Sequence, residues 1–267
     1  LRALMSIFVV AWHMQLFGTS LIFQPTEFES HQFTVNDFIN FQLLLLAIPT
    51  FIYTSLFLFA SKKHTLSTLL KRTKDIVIIL IFWSFALNIY NGGLPQLISL
   101  LPRTFFDSIL LIIKGGNTIY YFFTSLIIAT IITYSIAKLK SKILWIGFIF
   151  SSASLMLLPF LTVETSIPAL SAYWNPLNFL PYPFAAVLLV KYQEKIRTNI
   201  VIYLILILLI LGLSVFEWYF SIDKIFFPGQ GYAIPAYTRL SLLFSSSIII
   251  LILLNVKEQA NSIVMYM

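Results

Sequence analysis

Residues 200–220 read IVIYLILILLILGLSVFEWYF, and Glu217 is the one charged side chain in this run. A transmembrane helix needs about 20 consecutive, mostly apolar residues, so the segment predicts a membrane-spanning helix. Comparable runs recur along the chain, in which 59% of the 267 residues are hydrophobic and 10% are charged. Because a soluble domain carries about 25% charged residues, this composition excludes a soluble enzyme and predicts a membrane protein.

The apolar runs predict an all-α fold, a polytopic transmembrane bundle that forms a single domain over residues 1–267. We expect about eight spanning helices, at 3–23, 39–60, 75–92, 117–137, 143–163, 176–192, 200–220 and 238–256. The stretch 105–113 is too short to span, so we expect it to form an interfacial or re-entrant helix. Because the chain begins at Leu1 and ends within a further apolar segment, we expect both ends to be cut and C-terminal helices to be missing.

Lys and Arg are distributed unevenly among the predicted loops. If Arg2 is cytoplasmic, thirteen of the 17 Lys and Arg residues fall on the cytoplasmic side, in agreement with the positive-inside rule. We therefore expect a multi-pass protein of the plasma (inner) membrane, with a cytoplasmic N-terminus and membrane lipids as its surroundings. The net charge of +7 then reflects topology, and no nucleic-acid partner is expected.

The first predicted helix carries Arg2 and His13, eleven residues apart. At 100° and 1.5 Å per residue they share one face to within about 20° and are separated by about 16 Å along the axis. We expect this face to point towards neighbouring helices, because a His within the membrane is costly elsewhere. Neutral imidazole accepts a proton near pH 7, as a general base must. A hydrogen bond that only joins helices is the alternative.

Five segments of the chain resemble, in order, segments of the acyltransferase-3 family of membrane acyltransferases. The opening LRALMSIFVVAWH (1–13) has that family's Arg, ten residues and a His. The others are IPTFIYTSLFLF (48–59), LLKRTK (69–74), IIKGGNTIYYFFTSLI (112–127) and YPFAAVLLVKY (182–192). The chain is thus similar to this family over nearly its whole length.

The resemblance implies transfer of an acyl group, by default acetyl, from cytoplasmic acyl-CoA to a hydroxyl of a carbohydrate or a lipid-linked glycan. Acyl-CoA would be a cosubstrate, and no bound cofactor is expected. His13 would be the general base, with Arg2 and Ser55 as the other catalytic candidates. The donor phosphates would meet Arg2, Lys71, Arg72 and Lys74, although these residues also fit the positive-inside signal alone.

Glu217, Arg239 and Trp174 are candidates for binding the acceptor, and a structural ion pair between Glu217 and Arg239 is the alternative. Cys is absent, and the His residues do not cluster with carboxylates, so no metal site is expected. A glycan or lipid-precursor transporter or flippase is a second functional hypothesis, because transporters also contain a lone intramembrane His and Pro-broken helices. An inactive, divergent member is a third, because Leu56, Tyr121 and Ala185–Ala186 depart from the family pattern.

Overall fold

The computed structural model describes residues 2–14, 16–17, 35–62, 65–116, 118–165, 167–170, 172–194, 200–223 and 237–265. Within these residues the regular structure is entirely helical, as the sequence predicts. The α-helices are α1 (Arg2–His13), α2 (Val35–Phe38), α3 (Ala47–Ala60), α4 (Leu66–Ser99), α5 (Phe105–Ile113), α6 (Tyr121–Ile136), α7 (Ser141–Thr165), α8 (Pro181–Tyr192), α9 (Ile200–Asp223) and α10 (Leu240–Met265). A π-helical segment, Ile39–Leu44, precedes α3, and 3₁₀ turns lie at Pro168–Leu170 and Pro176–Phe179.

Four helical stretches of the described chain are long and apolar enough to cross a membrane, by length and composition: Gln42–Ala60, Leu66–Ser99, Ser141–Pro159 and Ile200–Glu217. The expected count of about eight spanning helices is therefore not supported. The helices within 117–137 and 176–192 are shorter than predicted, with 16 residues in α6 and 12 in α8. Sixteen residues rise about 24 Å, less than the roughly 30 Å of a bilayer core.

Local sequence explains these shorter helices. The turn before α6 contains Gly115 and Gly116 at φ +61° and +70°, where an α-helix cannot continue. Ahead of α8, Pro176 starts a 3₁₀ turn and Pro181 occupies the first helical position, which suits a proline only at a helix start. The predicted short helix at 105–113 is confirmed as α5, which Thr104 and Asp107 cap reciprocally at its N-terminus.

The centre of the molecule is α3, which packs against α1, α6, α8 and α10. Its Ile52 and Leu56 are fully buried, together with Phe179, Tyr182 and Leu242 from the surrounding elements. Burial of each such side chain stabilises the packed state by roughly 1.5–3 kcal/mol where water is the alternative solvent. Helix α3 therefore fixes the positions of the helices that carry the candidate site residues.

The helices α4 and α9 expose most of their apolar side chains. On α4 these include Ile81, Phe82 and Phe85, and on α9 they include Leu204 and Leu208. Exposed apolar surface of this extent does not occur on monomeric soluble proteins, whereas lipid chains solvate it without cost. Together with the long apolar helices, these faces make the chain a membrane protein.

Candidate functional site

Helix α1 carries Arg2 and His13 at its two ends, as predicted, but the packed face of the helix is a different one. Met5 and Ala11 are buried, and Trp12 packs against the main core. His13 is exposed, so the expectation that its face points into the bundle is corrected. Burial of the apolar Met5, Ala11 and Trp12 stabilises the packed helix more than burial of the polar face would. These side chains therefore determine which face of α1 packs against the bundle. Arg2 starts α1, and its side chain lies outside the described part.

Two residues that the sequence singled out separately, Ser55 and Arg72, are in direct contact. The Arg72 Nη2 donates to the Ser55 hydroxyl at 2.8 Å and to the Ser55 backbone carbonyl at 3.1 Å. The guanidinium carbon also lies 4.9 Å from the centre of the Phe59 ring, within the range of a cation–π interaction. Ser55 and Phe59 lie one turn apart on α3, so Arg72 joins the start of α4 to one face of α3. Arg72 is thereby held in a half-buried position against α3.

Three other basic side chains in the described residues near this turn are exposed. Lys62 follows α3, and Lys71 and Lys74 flank Arg72 on the first turns of α4. We call Lys62, Lys71, Arg72 and Lys74 the basic end of the α3–α4 hairpin. A guanidinium fixed by two hydrogen bonds beside three exposed ammonium groups is suited to anionic oxygens, because Arg supplies geometry and Lys supplies charge.

Glu217 and Arg239 form an ion pair, with Arg239 Nε 3.1 Å from Glu217 Oε2. The side chain of Arg239 is 3% exposed and that of Glu217 is 16% exposed. Ser241 donates its backbone N–H to Glu217 Oε1 at 3.0 Å, and its hydroxyl donates to Glu217 Oε2. The pair therefore joins the C-terminal part of α9 to the start of α10, and the structural alternative raised from the sequence is present in the molecule.

The ion pair belongs to a larger buried network that includes the π segment. Arg239 Nη2 donates to Gln42 Oε1 and to Ser214 Oγ, each at 2.8 Å, and Ser214 Oγ donates to Gln42 Oε1 at 2.8 Å. Gln42 Nε2 donates in turn to Ser245 Oγ at 3.1 Å. We call Gln42, Ser214, Glu217, Arg239, Ser241 and Ser245 the buried polar network. Its charges are paired and hydrogen-bonded, the condition under which buried charge is tolerated.

Sequence reasoning missed Gln42, Ser214 and Ser241. Gln42 could have been predicted from the sequence, because it is a strongly polar residue inside the apolar run 39–60. A polar side chain in a membrane segment normally has a protein partner. Ser214 carried no such signal, since a serine in a helix most often bonds to its own backbone.

Trp174, a candidate for binding the acceptor, lies beside Lys114. It is half-buried against the main core, and Lys114 Nζ lies 5.2 Å from the centre of its ring. Beside it in the chain, the exposed Tyr173 makes an edge-to-face contact with Tyr121 at 5.0 Å. The Tyr121 hydroxyl donates to the Tyr237 hydroxyl at 3.1 Å. Burial raises the pKa of Tyr237 to about 12, so this hydroxyl keeps its proton at physiological pH.

The described structure thus brings together Ser55 with Arg72 and Glu217 with Arg239, and it places Trp174 with Lys114. Along the chain, Gln42 and Ser55 are 13 residues apart, so the buried polar network and the basic end are separated by roughly 20 Å. No family model, curated protein or solved structure matches this chain.

Proposed function

We propose that this chain is a membrane acyltransferase that moves an acyl group from acyl-CoA to a hydroxyl of a carbohydrate or lipid-linked glycan. The reaction type is taken from the resemblance of the five sequence segments to the acyltransferase-3 family. The observation that carries the proposal is the contact of Arg72 with the Ser55 hydroxyl at 2.8 Å, because it holds in place a guanidinium that the resemblance assigns to the donor phosphates.

The basic end of the α3–α4 hairpin is the proposed donor site. The phosphates of acyl-CoA are multiply charged, and Arg and Lys recognise such groups by charge-assisted hydrogen bonds. Arg72 would meet a phosphate while its contact with Ser55 holds it in place, and the exposed Lys71 and Lys74 would add attraction. With the N-terminus in the cytoplasm, this end faces the compartment that contains acyl-CoA.

His13 is the proposed general base. Its imidazole is exposed at the end of α1, so an acceptor hydroxyl would approach it along the outer surface of α1. The hydroxyl oxygen forms the new ester bond to the acyl carbon as His13 accepts its proton, and the carbon–sulfur bond breaks. The CoA thiolate then takes up the proton that His13 accepted, so the products are an ester and CoA thiol and His13 is neutral again.

The acceptor is proposed to bind near Trp174. Aromatic side chains offer flat apolar surfaces to sugar rings, and Trp174 and Tyr173 are adjacent to Lys114 and to the Tyr121–Tyr237 pair. Glu217 and Arg239 make their hydrogen bonds within the buried polar network, so their contribution to the acceptor site is to hold α9 and α10 in place.

The proposal is tested with purified protein in lipid nanodiscs, supplied with acetyl-CoA that is radiolabelled in the acetyl group and with a glycan fraction as acceptor. We expect label to move to an alkali-labile ester on the acceptor. His13→Ala should reduce the rate at least 100-fold, because general-base catalysis contributes about 10²–10⁴-fold.

Lys140→Ala is the matched control, because Lys140 is an exposed basic residue on a different turn, and its rate should equal that of the wild type. A transporter would leave the label on CoA with every acceptor offered, and that result would refute acyl transfer. Full activity of His13→Ala would remove His13 from the mechanism and leave the donor site to be judged separately.

A further inference from the structure

Five buried hydroxyl groups have no hydrogen-bond partner within the described part of the chain, and three of them, on Thr50, Thr54 and Ser125, lie on the packed helices α3 and α6. Other buried hydroxyls of the same bundle behave differently. Thr130 and Thr133 on α6 each donate to the backbone carbonyl four residues earlier, at 2.7 Å, which is the usual arrangement for Thr in an apolar helix. The three unpartnered hydroxyls are therefore turned away from their own backbone.

On α3, the helical wheel directs Thr50 and Thr54 into the groove between α6 and α8. Phe51 contacts Phe122 of α6 with ring centres 5.9 Å apart, and Tyr53 contacts Tyr182 of α8 at 6.0 Å. At 100° per residue, Phe51 and Tyr53 bound a sector of about 160°, and Thr50 and Thr54 lie near its middle. Both hydroxyl-bearing side chains thus face the line where α3, α6 and α8 meet.

On α6, Ser125 faces the same line. It lies one turn after Phe122, which contacts α3, and one turn after Tyr121, which contacts Tyr237. The helices α3 and α6 run in the same direction, because Phe51 and Phe122 meet near their N-terminal ends and Ala60 and Ile136 meet in one apolar cluster at their C-terminal ends. Ser125 therefore comes to the depth of Thr54, and Thr50 lies about one helical turn, or 6 Å, from that depth.

The helix junction contains small side chains next to these hydroxyls. Ala129 follows Ser125 by one turn on α6, and Ala186 follows Tyr182 by one turn on α8, and both are buried. Asn178, in the 3₁₀ turn that leads into α8, is fully buried, and its Oδ1 is a fourth polar atom without a partner among the described residues. Unpartnered buried polar atoms cost about 1–3 kcal/mol each, so several in one junction indicate a ligand.

We propose that Thr50, Thr54 and Ser125 form a hydration site that holds buried water at the junction of α3, α6 and α8. A hydroxyl both donates and accepts hydrogen bonds, and a buried water typically makes about three hydrogen bonds to such groups. The three side chains are uncharged, so they match water rather than an anion. This site is separate from the acyl-transfer chemistry proposed above.

The experiment is thermal unfolding of the full chain in detergent, comparing Thr54→Val and Ser125→Ala with the wild type. If water bridges these hydroxyls, each substitution removes a hydrogen bond and should lower Tm by about 2–4 °C. If the junction is dry, each removes an unpaired polar group and should raise Tm. Thr130→Val is the matched control and should shift Tm by less than Thr54→Val or Ser125→Ala. It removes the hydroxyl that donates to the Leu126 carbonyl, but that carbonyl keeps the hydrogen bond that it accepts from the helix backbone.

Two further readouts decide the identity of the occupant. In radiolytic footprinting, bound water that is split by X-rays oxidises adjacent side chains. Phe51 or Phe122 should be modified more in the wild type than in the double variant Thr54→Val, Ser125→Ala. Equal modification would overturn the proposal. Tm should be the same in sodium chloride and in choline chloride. A Tm that is higher in sodium chloride than in choline chloride, with the difference lost in Thr54→Val, would mean that the site holds a cation. That result would overturn the proposal.

Discussion

At the scale of single residues, the Glu217–Arg239 ion pair is buried and makes hydrogen bonds to Gln42 and Ser241. Removal of one partner of a buried pair leaves the other charge uncompensated. We therefore predict that Arg239→Met lowers the free energy of unfolding by about 3–5 kcal/mol, whereas the double variant Glu217→Leu, Arg239→Met loses less than this single variant. Denaturant unfolding in detergent measures both values.

The double-mutant cycle isolates the interaction between the two side chains. A coupling energy near zero, with additive losses, would mean that Glu217 and Arg239 do not interact in the membrane protein. Lys142→Met is the appropriate control, because Lys142 is exposed and its substitution should change stability by less than about 0.5 kcal/mol.

The sequence predicted these contacts unequally. Glu217 and Arg239 stand at the facing ends of two apolar runs joined by one loop, so the pairing was open to prediction. The contact of Arg72 with Ser55 was not, because it depends on the rotation of α4 relative to α3, which apolar periodicity leaves undetermined when a helix is apolar on every side. His13 was misplaced for the same reason: its angle relative to Arg2 follows from the helix, but the face that packs follows from Met5, Ala11 and Trp12.

At the scale of elements, the turn between α5 and α6 requires glycine. Gly115 has φ +61°, and a Cβ at this position would lie 2.4 Å from the backbone nitrogen of Tyr121. The Gly115 carbonyl also accepts from Ser84 of α4 at 2.9 Å, so the turn has little room to shift. We predict that Gly115→Ala lowers the free energy of unfolding by roughly 2 kcal/mol or more.

Gly212 provides the matched comparison. It lies inside α9, and a Cβ at this position would have no atom within 4 Å. Gly212→Ala is therefore expected to raise stability by up to about 1 kcal/mol, since Ala favours a helix more than Gly does. Thermal unfolding of the two variants should give shifts of opposite sign, and equal shifts would contradict the packing of the turn described here.

The apolar runs in the sequence predicted where the helices lie, but they predicted poorly where each helix begins and ends. Each predicted span from 39–60 onwards overlaps a described helix, because burial or lipid exposure of apolar side chains drives both the pattern and the helix. The ends depend on Gly115, Pro176 and Pro181, which shorten two helices, and on the Thr65 cap, which starts α4 nine residues before the predicted span. The count of eight spans assumed full bilayer lengths for segments that form shorter helices.

At the scale of the whole molecule, the basic loops define a topology that is open to measurement. The chain has no Cys, so single cysteines can be introduced without background. From the positive-inside rule we predict that Lys71→Cys and Lys140→Cys are both on the cytoplasmic side and react with a membrane-impermeant maleimide only after permeabilisation of the cells. This outcome requires α6 to return the chain across the membrane, although it has only 16 residues. Arg103→Cys should react with intact cells, since α4 separates it from Lys71.

Reaction of Arg103→Cys and Lys71→Cys from the same side would show that α4 does not cross the membrane. Reaction of Lys71→Cys and Lys140→Cys with intact cells, and of Arg103→Cys only after permeabilisation, would reverse the orientation and place the basic end away from acyl-CoA. That result would remove the proposed donor site.

The measurement that tests the central claim most directly is the Michaelis constant for acetyl-CoA, determined for the wild type, Arg72→Ala and Lys140→Ala at saturating acceptor. Loss of one charge-assisted hydrogen bond to a phosphate corresponds to about a tenfold change in affinity. We predict a KM about tenfold higher for Arg72→Ala, with kcat little changed, and no change for Lys140→Ala. An unchanged KM in Arg72→Ala, with the protein folded to the wild-type Tm, would contradict the assignment of this basic end to the donor.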